Sequence, residues 1–266
     1  MAFPADRPPP HQPHVELLTG NGVAARARPW SPDPNTVTLT LLHPSPVGLA
    51  VHAQQWLAQL ADAGYRRVRT SALSPEAAAV FERFGLHVIQ RLVVLSLGPV
   101  ALSQQPDSHT ASSWRIRALR WRTDALRIRD EVRQALVIDR EAFGDRWCLD
   151  EHDWRATVRA TPRRRVAVVE HDGDLVGFGV TGSNGDAGFL QRLAVAPAFQ
   201  RRGVARAIVI DAVAWAARNR LRHLYVNTAH DNHPALALYE STGFRHRADG
   251  LVVLEGALER VSTAGA

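Results

Sequence analysis

The chain has 266 residues, long for one compact domain and sufficient for two, and its apolar content of 45% can build a core. No apolar run approaches the ~20 residues of a membrane helix, which excludes that class. The net charge of +6 is carried without lysine, all 32 basic residues being arginine, and these are spread among acids rather than clustered with aromatics, which argues against a nucleic-acid face. A single cysteine, Cys148, excludes an internal disulfide and argues against a cysteine metal site; no metal is expected, and within Arg146-Trp147-Cys148-Leu149 the thiol reads as packing. Pro4, Pro8, Pro9, Pro10 and Pro13 break any apolar signal core, and a cytoplasmic location is expected.

In chain order, residues 1–35 are rich in Pro, Gly and small polar residues and read as a disordered arm. A strand follows at Thr36–Leu42. Helical spacing over Gly48–Ala63 places Leu49, His52, Ala53, Trp56, Leu57 and Leu60 on one face. Then come a strand at Arg67–Ala72, a helix opened by Ser74-Pro75-Glu76, and a strand at His87–Leu97, closing a first half over 36–98. Residues 99–113, polar and broken by Pro99 and Pro106, read as a linker. The second half, 114–258, opens with a strand at Trp114–Leu119. Helical patterns cover Asp124–Phe143 and Asp150–Ala160, and strands at Arg165–His171 and Leu175–Thr181 flank the turn Asp172-Gly173-Asp174. A strand at Ala187–Val195 then leads into a helix over Gly203–Arg218, a strand at His223–Thr228, a helix over Pro234–Thr242 and a last pair at Phe244–Arg247 and Leu251–Glu255. Strands alternating with helices indicate an α/β domain with a mixed sheet.

Three pieces of the second half carry chemistry. Leu193-Ala194-Val195 ends an apolar strand. Gln200-Arg201-Arg202-Gly203-Val204-Ala205-Arg206 opens the long helix, whose first N–H groups lack partners and, with the helix dipole, suit an anion. Gly203 removes a side chain where a phosphate would approach, and Arg201, Arg202 and Arg206 add charge there; the bland alternative is an ordinary helix start. The third piece runs from Asn232, an N-cap residue, through Ala235, Leu238 and Tyr239 to Gly243 and Phe244. In isolation Tyr239 reads equally well as a core aromatic.

In order, these pieces resemble the GNAT superfamily of N-acetyltransferases. Gln200 to Ala205 matches its signature Gln/Arg-x-x-Gly-x-Gly/Ala, and Asn232 to Phe244 matches Asn-x-x-Ala-x-x-Leu-Tyr-x-x-x-Gly-Phe. The resemblance covers Trp114 to Glu255 and implies a mixed, mostly antiparallel sheet flanked by helices. It also implies acetyl-CoA as co-substrate and an amine as acceptor. By the same resemblance, backbone groups of Leu193, Ala194 and Val195 pair with the pantetheine arm, and the Val195 amide faces the oxyanion. Arg201, Arg202, Gly203, Val204, Ala205 and Arg206 hold the pyrophosphate, Asn232 orients the cofactor or a water, and Tyr239 protonates the leaving thiolate. A phenol of pKa near ~10 can serve a thiolate whose conjugate acid lies near ~8.5.

The general base stays unassigned. Where some members of the family carry a glutamate five residues before the asparagine, this chain has Asn227, and Gln191 cannot act as a base; His152, His230 and His233 are candidates that read equally as surface residues. Between the first two helices of this half, Phe143 to Asp153 could form the acceptor region, its acids drawing a cationic amine, or Asp150 and Asp153 could simply support the next helix. A shift of 158 residues lays the third piece on the first half: Asn232 on Ser74, Ala235 on Ala77, Tyr239 on Phe81, Glu240 on Glu82 and Gly243 on Gly85. Residues 36–98 therefore read as a degenerate GNAT-like half domain without the arginine signature or the tyrosine hydroxyl. Taken together, the expectation is an acetyl-CoA-dependent N-acetyltransferase, as monomer or homodimer. Its rival is a non-catalytic acyl-CoA-binding or sensing module.

Overall fold

A computed structural model describes residues 17–20, 22–43, 46–99, 114–119 and 125–259. They belong to two units, one made of residues up to 92 with those from 249 onward, the other of residues 93–248.

The first unit starts with β1 (Leu17–Gly20) and β2 (Val23–Trp30), antiparallel across Gly22, and β2 pairs antiparallel with β3 (Asp33–His43). The disordered arm expected over residues 1–35 is thus corrected: from Leu17 onward it is sheet, and residues 1–16 lie outside the described ones. The period of two was present, with Val23, Ala25 and Ala27 buried, but the contrast was carried by alanine and arginine rather than by β-branched residues. Helix α1 (Pro46–Asp62) crosses from β3 to the parallel β4 (Arg67–Thr70), burying Leu49, Ala53, Trp56, Leu57 and Leu60 as its spacing requires. Helix α2 (Pro75–Glu82) and β5 (His87–Leu97) follow. Between β4 and the start of β5 lies the last described strand, β12 (Leu251–Ala257), antiparallel to both.

In the second unit β6 (Ile116–Ala118), β7 (Arg163–His171), β8 (Asp174–Asn184) and β9 (Ala187–Val195) form an antiparallel ladder. Helices α3 (Ala125–Phe143) and α4 (Glu151–Arg159) cover one face of it, packing Ile138, Trp154 and Val158 against Val166, Val168, Phe178 and Val180. Helix α5 (Val204–Arg218) covers the other face and crosses over to β10 (His223–Ala229), parallel to β9. It lies close to β8 because that strand offers glycine: a Cβ on Gly179 would sit 2.4 Å from Ile208 Cγ2, and one on Gly177 3.0 Å from Val204 Cγ1. Helix α6 (His233–Ser241) and β11 (Arg245–His246) complete the unit, and the later part of β5 lies between β10 and β11. The domain limits expected at 98 and 114 are therefore corrected. Residues 93–97 belong with the second unit and those from 249 with the first; the expected linker beyond Pro99 lies outside the described residues.

The two units repeat one local construction. Ser74 caps α2 by accepting from the Ala77 N–H at 3.4 Å, and Asn232 caps α6 by accepting from the Ala235 N–H at 3.3 Å. Phe81 and Tyr239 are buried at the same turn of the two helices, and Gly85 (φ 83°) and Gly243 (φ 91°) end them in the left-handed region. The difference lies upstream. Only residues 44–45 separate β3 from α1, whereas residues 196–203 separate β9 from α5, and these include the glycine and two of the arginines of the sequence signature.

Candidate active site

β9 and β10 pair only from Ala187–Leu190 to His223–Val226, although β9 runs on to Val195 and β10 to Ala229. The separation begins at a bulge: Val180 faces Arg192 and Thr181 faces Leu190, leaving Gln191 as the extra residue. Beyond it β9 keeps only β8 as a strand partner among the described residues, so its outer edge faces an opening. The alternation of the ladder decides which residues use that edge. Ala196 N–H donates to the Val176 carbonyl at 2.9 Å, which marks 196 opposite 176 as a hydrogen-bonding position of the ladder, and the alternation makes Ala194 opposite Phe178 the next. Leu193 and Val195 therefore turn their N–H and C=O groups away from β8, into the opening. Ala194 does not: its backbone serves β8 and its methyl group lies in the core beneath α3 and α4.

Below the opening the chain makes a 3-10 turn at Pro197–Phe199 and enters α5 through two left-handed residues, Arg201 (φ 61°) and Gly203 (φ 87°), the latter at the N-cap position. Left-handed backbone at an arginine is strained and marks a loop held in shape by its surroundings. Three contacts hold it. Gln200 Nε2 donates to the Val195 carbonyl at 3.2 Å, the indole Nε1 of Trp114 donates to the Arg202 carbonyl at 2.8 Å, and Arg206 Nη1 donates to Ser241 Oγ at 3.2 Å. Val204 is buried and anchors the helix, while Arg201, Arg202 and Arg206 stay exposed at its mouth. The first amides of α5 have no partner within the helix, and with these arginines they make a positive, donor-rich concavity.

Tyr239, on α6, retains 6% of its surface and packs against Phe244 in the cluster that also holds Leu95, Leu97 and Val226. Its hydroxyl makes no hydrogen bond among the described residues, and burial pushes its pKa up to about 12. The oxygen of Asn232 is engaged in capping α6, which leaves its amide nitrogen as the polar group it can offer. His230 and His233 flank Asn232 on the β10–α6 turn, and His152 lies on α4; all three are exposed, as is Asn227. Gln191 Oε1 is buried at the bulge without a partner among the described residues.

Sequence reasoning missed what fixes the loop between α3 and α4. Arg192 makes a paired contact to Asp139 at 2.7 Å through both Nε and Nη2 and lies over the Phe143 ring at 3.4 Å; it also donates to the Trp147 carbonyl at 2.8 Å. Asp139, fully buried, accepts the Leu149 N–H as well, at 2.7 Å. A carboxylate on the buried stripe of α3, next to Ile138, was the available signal. Asp150 caps α4 by accepting from the Asp153 N–H at 2.7 Å, so that acid serves the helix. Cys148 donates weakly to the Asp145 carbonyl at 3.5 Å. An open hollow lined by Arg164, Trp215 and Asn219 lies at the far end of α5, away from the loop. Among the described residues no cluster of His, Cys, Asp or Glu could hold a metal ion, and no helix is long and apolar enough to cross a membrane.

An antiparallel ladder ending in a split parallel pair, with helices on both faces, makes a GNAT-like mixed α/β fold. Residues 127–244, within the second unit, match the acetyltransferase (GNAT) family. YjgM of Escherichia coli K12, an uncharacterized N-acetyltransferase, is 33% identical over 93 residues, which are 34% of this chain and 56% of the relative. A mycothiol acetyltransferase of Acidothermus cellulolyticus is 30% identical over 132 residues, 42% of this chain and 40% of the relative. The chain thus spans about half the length of the curated relatives it matches. A tandem GNAT protein from the clavulanic acid biosynthesis pathway shares the fold over 89% of this chain and 79% of its own, with a TM-score of 0.60 at 16% identity.

Proposed function

We propose that the second unit is an N-acetyltransferase that moves an acetyl group from acetyl-CoA to a primary amine of a small molecule or peptide. The observation that carries this reading is the split of β9 from β10 with the Leu193 and Val195 backbone groups turned into the opening, directly before the loop from Gln200 to Arg206. The amides and arginines of that loop suit a pyrophosphate, the edge of β9 suits the amides of a pantetheine arm as an added strand would, and the Val195 N–H suits the oxyanion. In the reaction the amine nitrogen attacks the thioester carbonyl, the carbon–sulfur bond breaks, and the amine loses a proton to a base that this reading leaves open. Tyr239 is the donor to the departing sulfur. Burial makes it a dependable hydrogen-bond donor and a reluctant acid, so its main contribution is a hydrogen bond that strengthens as charge grows on sulfur.

Within this proposal the first unit is a degenerate copy. The matching caps at Ser74 and Asn232 and the matching glycines support it, and the short β3–α1 connection and Phe81 in place of tyrosine leave it without anion loop or proton donor. A second reading, coenzyme binding without transfer, draws on Gln191 and Asn227, neither of which can accept a proton from an amine.

The test is titration calorimetry with acetyl-CoA on the wild type and Gly203→Glu, followed by thiol release over a panel of amines with Tyr239→Phe. Binding abolished by Gly203→Glu, and amine-dependent release slowed ten- to a hundredfold by Tyr239→Phe, are expected. Binding without turnover on a broad panel would favour the sensing reading, and no binding of acetyl-CoA would refute both.

A further inference from the structure

We infer that Trp114 is a positioning residue for the anion loop, fixing which way the Arg202–Gly203 peptide faces; the inference rests on the coenzyme reading given above. The indole Nε1 donates to the Arg202 carbonyl at 2.8 Å. No peptide bond among the described residues is cis, so a carbonyl and the N–H that follows it point in opposite directions. Holding the Arg202 carbonyl against the indole therefore turns the Gly203 N–H away from it, into the mouth of α5. Among the described residues and apart from the adjoining chain, only Trp114 Nε1, at 3.7 Å, lies within 4 Å of where a Cβ on Gly203 would stand, which leaves room for a ligand on its other sides.

Nothing local in the loop would enforce this orientation. Rotating the peptide changes ψ of Arg202 and φ of Gly203, and glycine tolerates either sign of φ. A turned peptide would present the Arg202 carbonyl to a phosphate that needs donors. The indole itself is held by rings: Trp114 meets His171 edge-on at 5.8 Å and Phe199 at 6.3 Å, and Phe199 in turn lies under the Arg202 guanidinium at 5.4 Å. Trp114 precedes β6, distant in sequence from the signature, and belongs to none of its positions.

The experiment compares Trp114→Phe, which keeps the ring contacts and removes the donor, with the wild type and with His171→Leu, which removes a packing partner and keeps the donor. Trp114 is only partly buried, so the phenylalanine variant should fold, and its melting temperature checks that. Affinities are measured for CoA by calorimetry and for pantetheine, which lacks phosphates, by ligand-observed NMR. The expected result is CoA binding weakened about tenfold in Trp114→Phe, with pantetheine binding unchanged within about twofold and the CoA-to-pantetheine ratio of His171→Leu as in the wild type. Equal weakening of both ligands, or CoA affinity untouched, would overturn the inference and leave the coenzyme reading standing. A wild type that binds CoA no better than pantetheine would instead remove the anion loop itself, and this inference with it.

Discussion

Tyr239 has a ring packed between α5, α6 and the end of β5, and a hydroxyl that titrates late because its anion would be poorly solvated. An unfolded chain ionises its phenols near ~10, whereas Tyr239 in the fold holds its proton to about 12. Its contribution to stability is therefore intact below pH ~10 and declines as pH climbs toward the folded value. Activity should follow the same order. If Tyr239 is the donor to sulfur, kcat should show no alkaline break from this residue below pH ~10, and pH–rate profiles of the wild type and Tyr239→Phe should differ by a constant factor from pH 7 to 9. A break near 8.5 that vanished in Tyr239→Phe would contradict its burial. Part of the local geometry around the candidate site was legible at this scale. Gly203, Asn232 and Gly243 declare themselves because left-handed turns and caps admit few residue types, and a cap is satisfied within three residues of chain. Arg192 with Asp139, and Trp114 with the Arg202 carbonyl, were not legible, since their partners lie 53 and 88 residues away and nothing local announces them.

At the scale of elements, the position of α5 over the ladder sets where its mouth opens, and that position depends on glycines in β8. Gly179→Ala would place a methyl group 2.4 Å from Ile208 Cγ2, so helix or strand must shift. Overpacking of this kind costs about 1–3 kcal/mol. Gly179→Ala should lose stability of that order in chemical denaturation, and Ile208→Ala in the same chain should return part of it. Strictly additive losses would place the strain elsewhere. The helices were readable because their apolar spacing repeats over several turns. The strands β1 and β2 were not, because β1 has only four residues, the buried positions of β2 are mostly alanine, a poor strand former, and Pro29 beside the register shift reads locally as loop.

For the whole molecule, each unit is completed by a strand from the other half of the chain. β12 separates β4 from β5 in the first unit, and residues 93–97 of β5 lie between β10 and β11 in the second, bringing Leu95 and Leu97 to the cluster around Tyr239. Sequence reading divided the chain at 98 and 114 because composition changes there; pairing between strands so far apart leaves no local trace. A chain ending at residue 248 should lose amide protection in β4, and one beginning at residue 99 should bind no coenzyme. Supplying the missing part as a second polypeptide should restore each. Full protection of β4 in the shortened chain, measured by hydrogen exchange, would show that β12 is dispensable.

That exchange also orders events in time. The pairing of β4 with β12 joins Arg69 to Glu255, so β4 cannot gain this neighbour until residues 251–257 have left the ribosome. Until then β4, Arg67-Val68-Arg69-Thr70, carries an unprotected edge with its proper neighbour not yet made. Slow elongation would prolong that exposure, and the yield of soluble protein should depend on how well the nascent chain is shielded while it waits.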